Sequence, residues 1–168
     1  MATLEGPPTN LPVPQNHINF VPTKAGETFK LGPITVRIME DGSHTDNRLG
    51  AAEFIVPPRT AGPPPHWHEM HDETFLVTRG KLRFSTTGHM EAKDIDALAG
   101  DYVTVPIRAP HTFANPFDEE ARFFNTFTPA FYVNYFKLLS DLADGGPVTP
   151  QISGTAMASY ATITVPLS

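Results

Sequence analysis

The chain has 168 residues and a mass of 18.4 kDa, with 40% hydrophobic and 18% charged residues, which suits one compact domain and excludes wholesale disorder. Eighteen prolines argue against a mostly helical protein, because proline interrupts helix interiors and central strands. Twelve Lys and Arg against eighteen Asp and Glu give a net charge of −6, which repels phosphate backbones and anionic lipid headgroups, so neither nucleic acid nor a membrane surface is expected as a partner.

The first 33 residues hold Pro7, Pro8, Pro12, Pro14, Pro22 and Pro33 and show little periodicity. They read as an extended arm with room for one short edge strand. Met1 to Pro14 is polar and proline-broken, unlike an export leader, and no apolar run approaches the ~18–20 residues of a membrane span. The absence of cysteine removes disulfides, thiolate ligands and a cysteine nucleophile, and fits a reducing, cytoplasmic location.

From residue 34 to 128, short β-branched or aromatic runs alternate with turn residues: Ile34 to Met39, Ala52 to Val56, Thr74 to Thr78, Lys81 to Ser85, Tyr102 to Val105 and Arg122 to Thr126. This spacing predicts an antiparallel sandwich or barrel. Arg79-Gly80, a two-residue link with a glycine free to take positive φ, predicts a hairpin between its flanking runs. Glu91 to Ala99 is polar and reads as a loop. Residues 129–168 change character: Tyr132, Tyr135, Phe136, Leu139 and Leu142 recur at helical steps, and Gly145-Gly146-Pro147 ends that helix. Thr149-Pro150 offers the cap and first turn of a second helix, which Ser153-Gly154 weakens.

Histidines cluster in Pro65-His66-Trp67-His68-Glu69-Met70-His71-Asp72-Glu73, and His111 follows Pro110 on a later strand. Residues i and i+2 of a strand share a face about 6.6–6.8 Å apart, so His66 and His68 can aim at one point from one strand. Histidine pairs of this kind also occur on solvated surfaces. Glu73 opens the next strand and can close on the same point, with His111 completing the set from across the barrel. A zinc-protease motif is excluded, since His68 and His71 stand three rather than four apart behind a triple proline. No serine sits in a G-x-S-x-G elbow.

These residues resemble the motifs of the cupin superfamily, G-x5-H-x-H-x(3,4)-E-x6-G and G-x5-P-x-G-x2-H-x3-N. His66, His68, Glu73 and Gly80 match the first, and Gly100, Pro106, His111 and Asn115 match the second. Thr60 stands where the first glycine is expected, with Gly62 two residues later, and Arg108 replaces the glycine of the second motif. The tail, from Phe131-Tyr-Val-Asn-Tyr-Phe-Lys-Leu-Leu through Met157-Ala-Ser-Tyr-Ala-Thr, is similar to the end of small quercetin dioxygenase-like monocupins, including those of fungal secondary-metabolite pathways.

The resemblance implies an all-β fold, a single cupin barrel (double-stranded β-helix or jelly roll) with a short C-terminal helical tail, commonly a homodimer. It implies that His66, His68, Glu73 and His111 hold one divalent metal ion, with Fe, Mn, Ni, Co and Zn all compatible. By strand parity Phe75 and Val77 share the face of Glu73, and Phe113 and Asn115 that of His111, so these four are expected to line an apolar substrate pocket. Trp67 alternates away from the ligands. His71 and Glu69 fall in the turn between them, where solvent exposure or a hydrogen bond to a ligand is expected. The implied function is a metal-dependent dioxygenase of a phenolic or polyketide-like small molecule, with Glu73 also the catalytic general base. Alternatives are a non-oxidative metal cupin (cyclase, dehydratase, isomerase or decarboxylase) and a small-molecule-binding module.

Overall fold

The computed structural model describes residues 16–86 and 92–165, so residues 1–15 of the arm and residue 91 of the expected loop lie outside the described residues. Twelve strands follow in chain order: β1 (Thr28–Leu31), β2 (Ile34–Glu40), β3 (Gly50–Val56), β4 (Thr60–Ala61), β5 (His66–His68), β6 (Asp72–Arg79), β7 (Lys81–Thr86), β8 (Lys93–Leu98), β9 (Tyr102–Val105), β10 (His111–Asn115), β11 (Ala121–Thr128) and β12 (Thr162–Thr164). A 3-10 turn, Ala130–Tyr132, leads into α1 (Val133–Ala143), and α2 (Pro150–Ser159) precedes β12. One sheet runs β1-β2-β3-β11-β6-β9 and the other β12-β5-β10-β7-β8, with β4 also pairing β10. The two face each other as a jelly-roll barrel, which is the expected all-β architecture with a helical tail.

Inward positions alternate as a half-buried sheet requires. Phe123, Asn125 and Phe127 of β11 are buried, whereas Arg122, Phe124 and Thr126 between them are only partly so. One end of the barrel is filled with aromatic rings: Phe54 stacks on Phe123 at 4.7 Å, and Phe75 meets Phe84 edge-on at 5.1 Å. Burying each such ring contributes roughly 1.5–3 kcal/mol.

Arg79-Gly80 does not make the expected hairpin. β6 pairs with β11 and β9, β7 with β10 and β8, so the chain crosses from one sheet to the other at Gly80. A two-residue I′ turn needs positive φ at both residues. Here Gly80 alone has it, at 69°, and a Cβ there would lie 2.6 Å from the Glu120 carbonyl oxygen. A matching corner at Gly100, whose N–H donates to the Val77 carbonyl at 2.8 Å, carries β8 into β9 alongside.

The polar stretch expected to loop contains β8, paired with β7 from Lys93 to Leu98. It is an edge strand with only Ala97 buried, so it carries no alternating apolar signal. Arg83 to Asp96 (2.7 and 3.0 Å) and Ser85 to Asp94 (2.6 Å) fasten it. In the tail, Tyr132, Tyr135, Phe136 and Leu139 are buried, while Leu142 is 40% exposed. Asp144 ends α1 in the left-handed region, just before Gly145-Gly146. The second helix forms despite Gly154, because the Thr149 hydroxyl caps it by accepting from the Ile152 N–H at 3.3 Å.

Candidate metal centre

Three strands and both sheets supply the expected residues. His66 and His111 stand directly opposite one another on β5 and β10, His68 lies two residues along β5 on the same face, and Glu73 reaches in from β6 of the facing sheet. All four are buried. Ring nitrogens of His66, His68 and His111 all lie within 4.8 Å of one another. The Glu73 carboxylate approaches the His68 Nε2 at 3.3 Å and the His111 Nε2 at 3.8 Å.

The tautomers follow from the neighbours. His66 Nδ1 lies 2.8 Å from the Pro64 carbonyl and His111 Nδ1 2.9 Å from the Ala109 carbonyl. A carbonyl only accepts, so both Nδ1 atoms carry the proton and both Nε2 lone pairs are free. His68 Nδ1 lies 3.0 Å from the Thr162 hydroxyl, and its buried Nε2 has no hydrogen-bond partner among the described residues. A bound ion would take the lone pair at that Nε2, which faces the Glu73 carboxylate, and leave the His68 proton on Nδ1 toward Thr162. Three imidazole lone pairs and one carboxylate, each ring oriented from behind, suit one divalent ion with positions left open.

Burial, with the neighbouring His111 and His68, pushes the His66 pKa down to about 3, and burial lowers that of His68. For Glu73, burial works toward the neutral acid but is outweighed by the His68, His111 and His71 rings gathered around the carboxylate. Its carboxyl sits well below the usual range. His66 and His68 of lowered pKa, beside an ionised carboxylate, are in the protonation states that ligation requires.

A cavity of about 460 Å³ opens beside this cluster. Phe75 and Phe113 line it, together with His66, Glu73 and His111. Val77 and Asn115 have the predicted burial but do not line it. Val77 lies two residues deeper along β6 than Phe75, in the apolar core. The Asn115 amide is spent on the carbonyls of Val56, Pro57 and Glu119, at 3.0, 3.0 and 2.8 Å, and braces a corner.

Other lining residues come from the tail, whose aromatics the sequence places on a helix against the barrel, and from β11. Tyr132, Tyr135, Phe136 and Leu139 wall the cavity from the tail, so α1 both packs on the barrel and shapes the pocket. Asn125, alone among phenylalanines on the inner face of β11, lines it too, and that odd polar position was its only sequence signal. Trp67 is half-buried and donates to Glu69 at 2.9 Å, while Arg108 donates to the same carboxylate at 2.8 Å. His71 is buried rather than exposed. Its Nε2 meets Glu73 Oε1 at 3.1 Å and its ring stacks on Tyr132 at 3.9 Å.

Residues 52–127 match the family model described as "Cupin domain". The barrel has the cupin fold. Among solved structures, an RmlC-like cupin from Shewanella frigidimarina is 20% identical with a TM-score of 0.56, covering 69% of this chain and 95% of that one. The oxalate decarboxylase OxdC of Bacillus subtilis, as a deletion mutant, is 24% identical with a TM-score of 0.53, covering 62% of this chain. The present chain spans only 28% of OxdC. KdgF from a Halomonas species is 21% identical with a TM-score of 0.51, covering 61% of this chain and 87% of that one. These are likenesses of cupin fold alone. No curated protein matches the chain. Among the described residues, no helix is long and apolar enough to cross a membrane.

Proposed function

We propose that this cupin is a metal-dependent oxidoreductase, a quercetin dioxygenase-like enzyme of secondary metabolism acting on an uncharged phenolic or polyketide-like molecule, and that it works as a homodimer. One observation carries the reading: the His66, His68, His111 and Glu73 cluster lies against an aromatic cavity of about 460 Å³, within the ~300–1,000 Å³ usual for small-molecule sites. No lysine or arginine is among the described residues lining that cavity. A phosphorylated or carboxylated substrate would find no side-chain cation there, whereas planar rings fit between Phe75, Phe113, Tyr132 and Phe136.

When bound, a divalent ion supplies Lewis acidity toward a phenol oxygen and electron exchange with dioxygen. Glu73, ionised and in reach of the same space, accepts the hydroxyl proton of the substrate. His71 restrains the carboxylate at Oε1, leaving Oε2 toward His111. The ring walls orient the substrate and keep water out. Dioxygen is the co-substrate and both its atoms enter the product, so no external reductant is needed.

The test is dioxygen uptake by metal-replete protein against a panel of flavonols and other phenols. One dioxygen consumed per substrate is expected. Turnover without dioxygen consumption would overturn the dioxygenase reading in favour of Lewis-acid chemistry, and saturable binding without turnover in favour of a binding module.

A further inference from the structure

The three histidines of the cluster are oriented from behind in two different ways. His66 and His111 each donate from Nδ1 to the carbonyl two residues earlier, Pro64 and Ala109, and in both cases a proline immediately precedes the histidine. Their ring directions are fixed by their own strand entries. His68 has no such local acceptor. Its Nδ1 instead finds Thr162 Oγ1 at 3.0 Å, 94 residues away.

Thr162 is placed for this by pairing. β12 lies antiparallel to β5 with Thr162 directly opposite His68, and the threonine is buried. Its hydroxyl, having accepted from His68, keeps its own proton for the Tyr132 hydroxyl at 3.2 Å or the Tyr160 carbonyl at 3.4 Å. Tyr132 in turn stacks on His71, which holds Glu73. Both contacts come from beyond residue 127, where the cupin domain match ends.

We propose that Thr162 is a positioning residue for the metal ligand His68, so that the C-terminal tail, and not the barrel alone, completes the metal centre. The inference rests on the metal reading above. Removing the hydroxyl leaves the buried Nδ1–H of His68 without an acceptor and the imidazole free to rotate or switch tautomer. A ligand whose Nε2 no longer carries the lone pair binds no ion. His66 and His111 keep their own acceptors, so the loss falls on one ligand of the set.

The probe is Co²⁺ added to the full chain, followed by chelator competition and by the visible absorption of the bound ion. Thr162→Val, nearly isosteric, is expected to weaken Co²⁺ binding about 10–100-fold and to change the spectrum, with Thr162→Ser restoring both toward wild type. Wild-type affinity and spectrum in Thr162→Val would overturn the proposal while leaving the metal reading intact. Failure of the wild-type protein to bind Co²⁺ would overturn the metal reading itself. A further measurement needs no variant: in wild-type protein loaded with Zn²⁺, the imidazole nitrogen NMR spectrum should show His68 protonated on Nδ1, with that proton close to the Thr162 side chain. A proton on His68 Nε2 in that sample would overturn the proposal as well.

Discussion

Glu73 and His111 sit in the same cluster but are assigned different work, and substitution separates them. Glu73→Gln keeps the size and an oxygen donor while removing the anionic base. It should retain much of the bound metal yet lose on the order of 10²–10⁴-fold in turnover, the span usual for a positioned acid or base. His111→Ala removes a ligand outright and should lose metal first. Metal content and rate measured on both variants check the assignment, and a Glu73→Gln enzyme turning over near the wild-type rate would deny the carboxylate its proton-transfer role. At this scale the clustering of these four side chains was legible from the H-x-H pair, the carboxylate five residues on and the match of His111 to the second cupin motif. Thr162 and Tyr132 were not legible. Each meets the cluster through tertiary pairing or stacking, and no spacing in the sequence announces a hydrogen bond across 94 residues.

Among the elements, the two departures from the cupin glycine pattern behave differently. Gly62 cannot carry a side chain, since a Cβ would fall 1.9 Å from the Phe113 carbonyl oxygen, so the close approach has moved two residues along from Thr60. Arg108 keeps the backbone the missing glycine would have had, with φ at +65°. That conformation costs a non-glycine residue roughly 1–2 kcal/mol. Against it stands only a solvent-screened ion pair to Glu69. Arg108→Gly should therefore raise stability by up to about 1 kcal/mol in urea denaturation, and a clear loss would mean that the Glu69 pair outweighs the backbone strain. Strands with one buried face announced themselves by alternation. β8 did not, because five of its six residues are exposed and its side-chain ties to β7 are polar, and the Gly80 corner was misread because a glycine at positive φ marks a turn without saying which strands it joins.

Over the whole molecule, the barrel supplies ligands and the tail supplies walls and braces. Composition alone favoured a β fold, and the helical periodicity of the tail was plain, but the place where tail and barrel meet depends on how β12 returns to pair β5. The cavity is walled by rings of the barrel and of the tail together, so its aromatic character belongs to neither part alone. The account stands or falls on a single ion held by His66, His68, His111 and Glu73. Elemental analysis of protein purified without added metal, and again after reconstitution with Fe, Mn, Co, Ni and Zn separately, tests this directly. One ion per chain, lost in His111→Ala, is the predicted result. Wild-type protein that takes up none of the five stoichiometrically, or a His111→Ala variant that holds its ion as firmly as wild type, would contradict it.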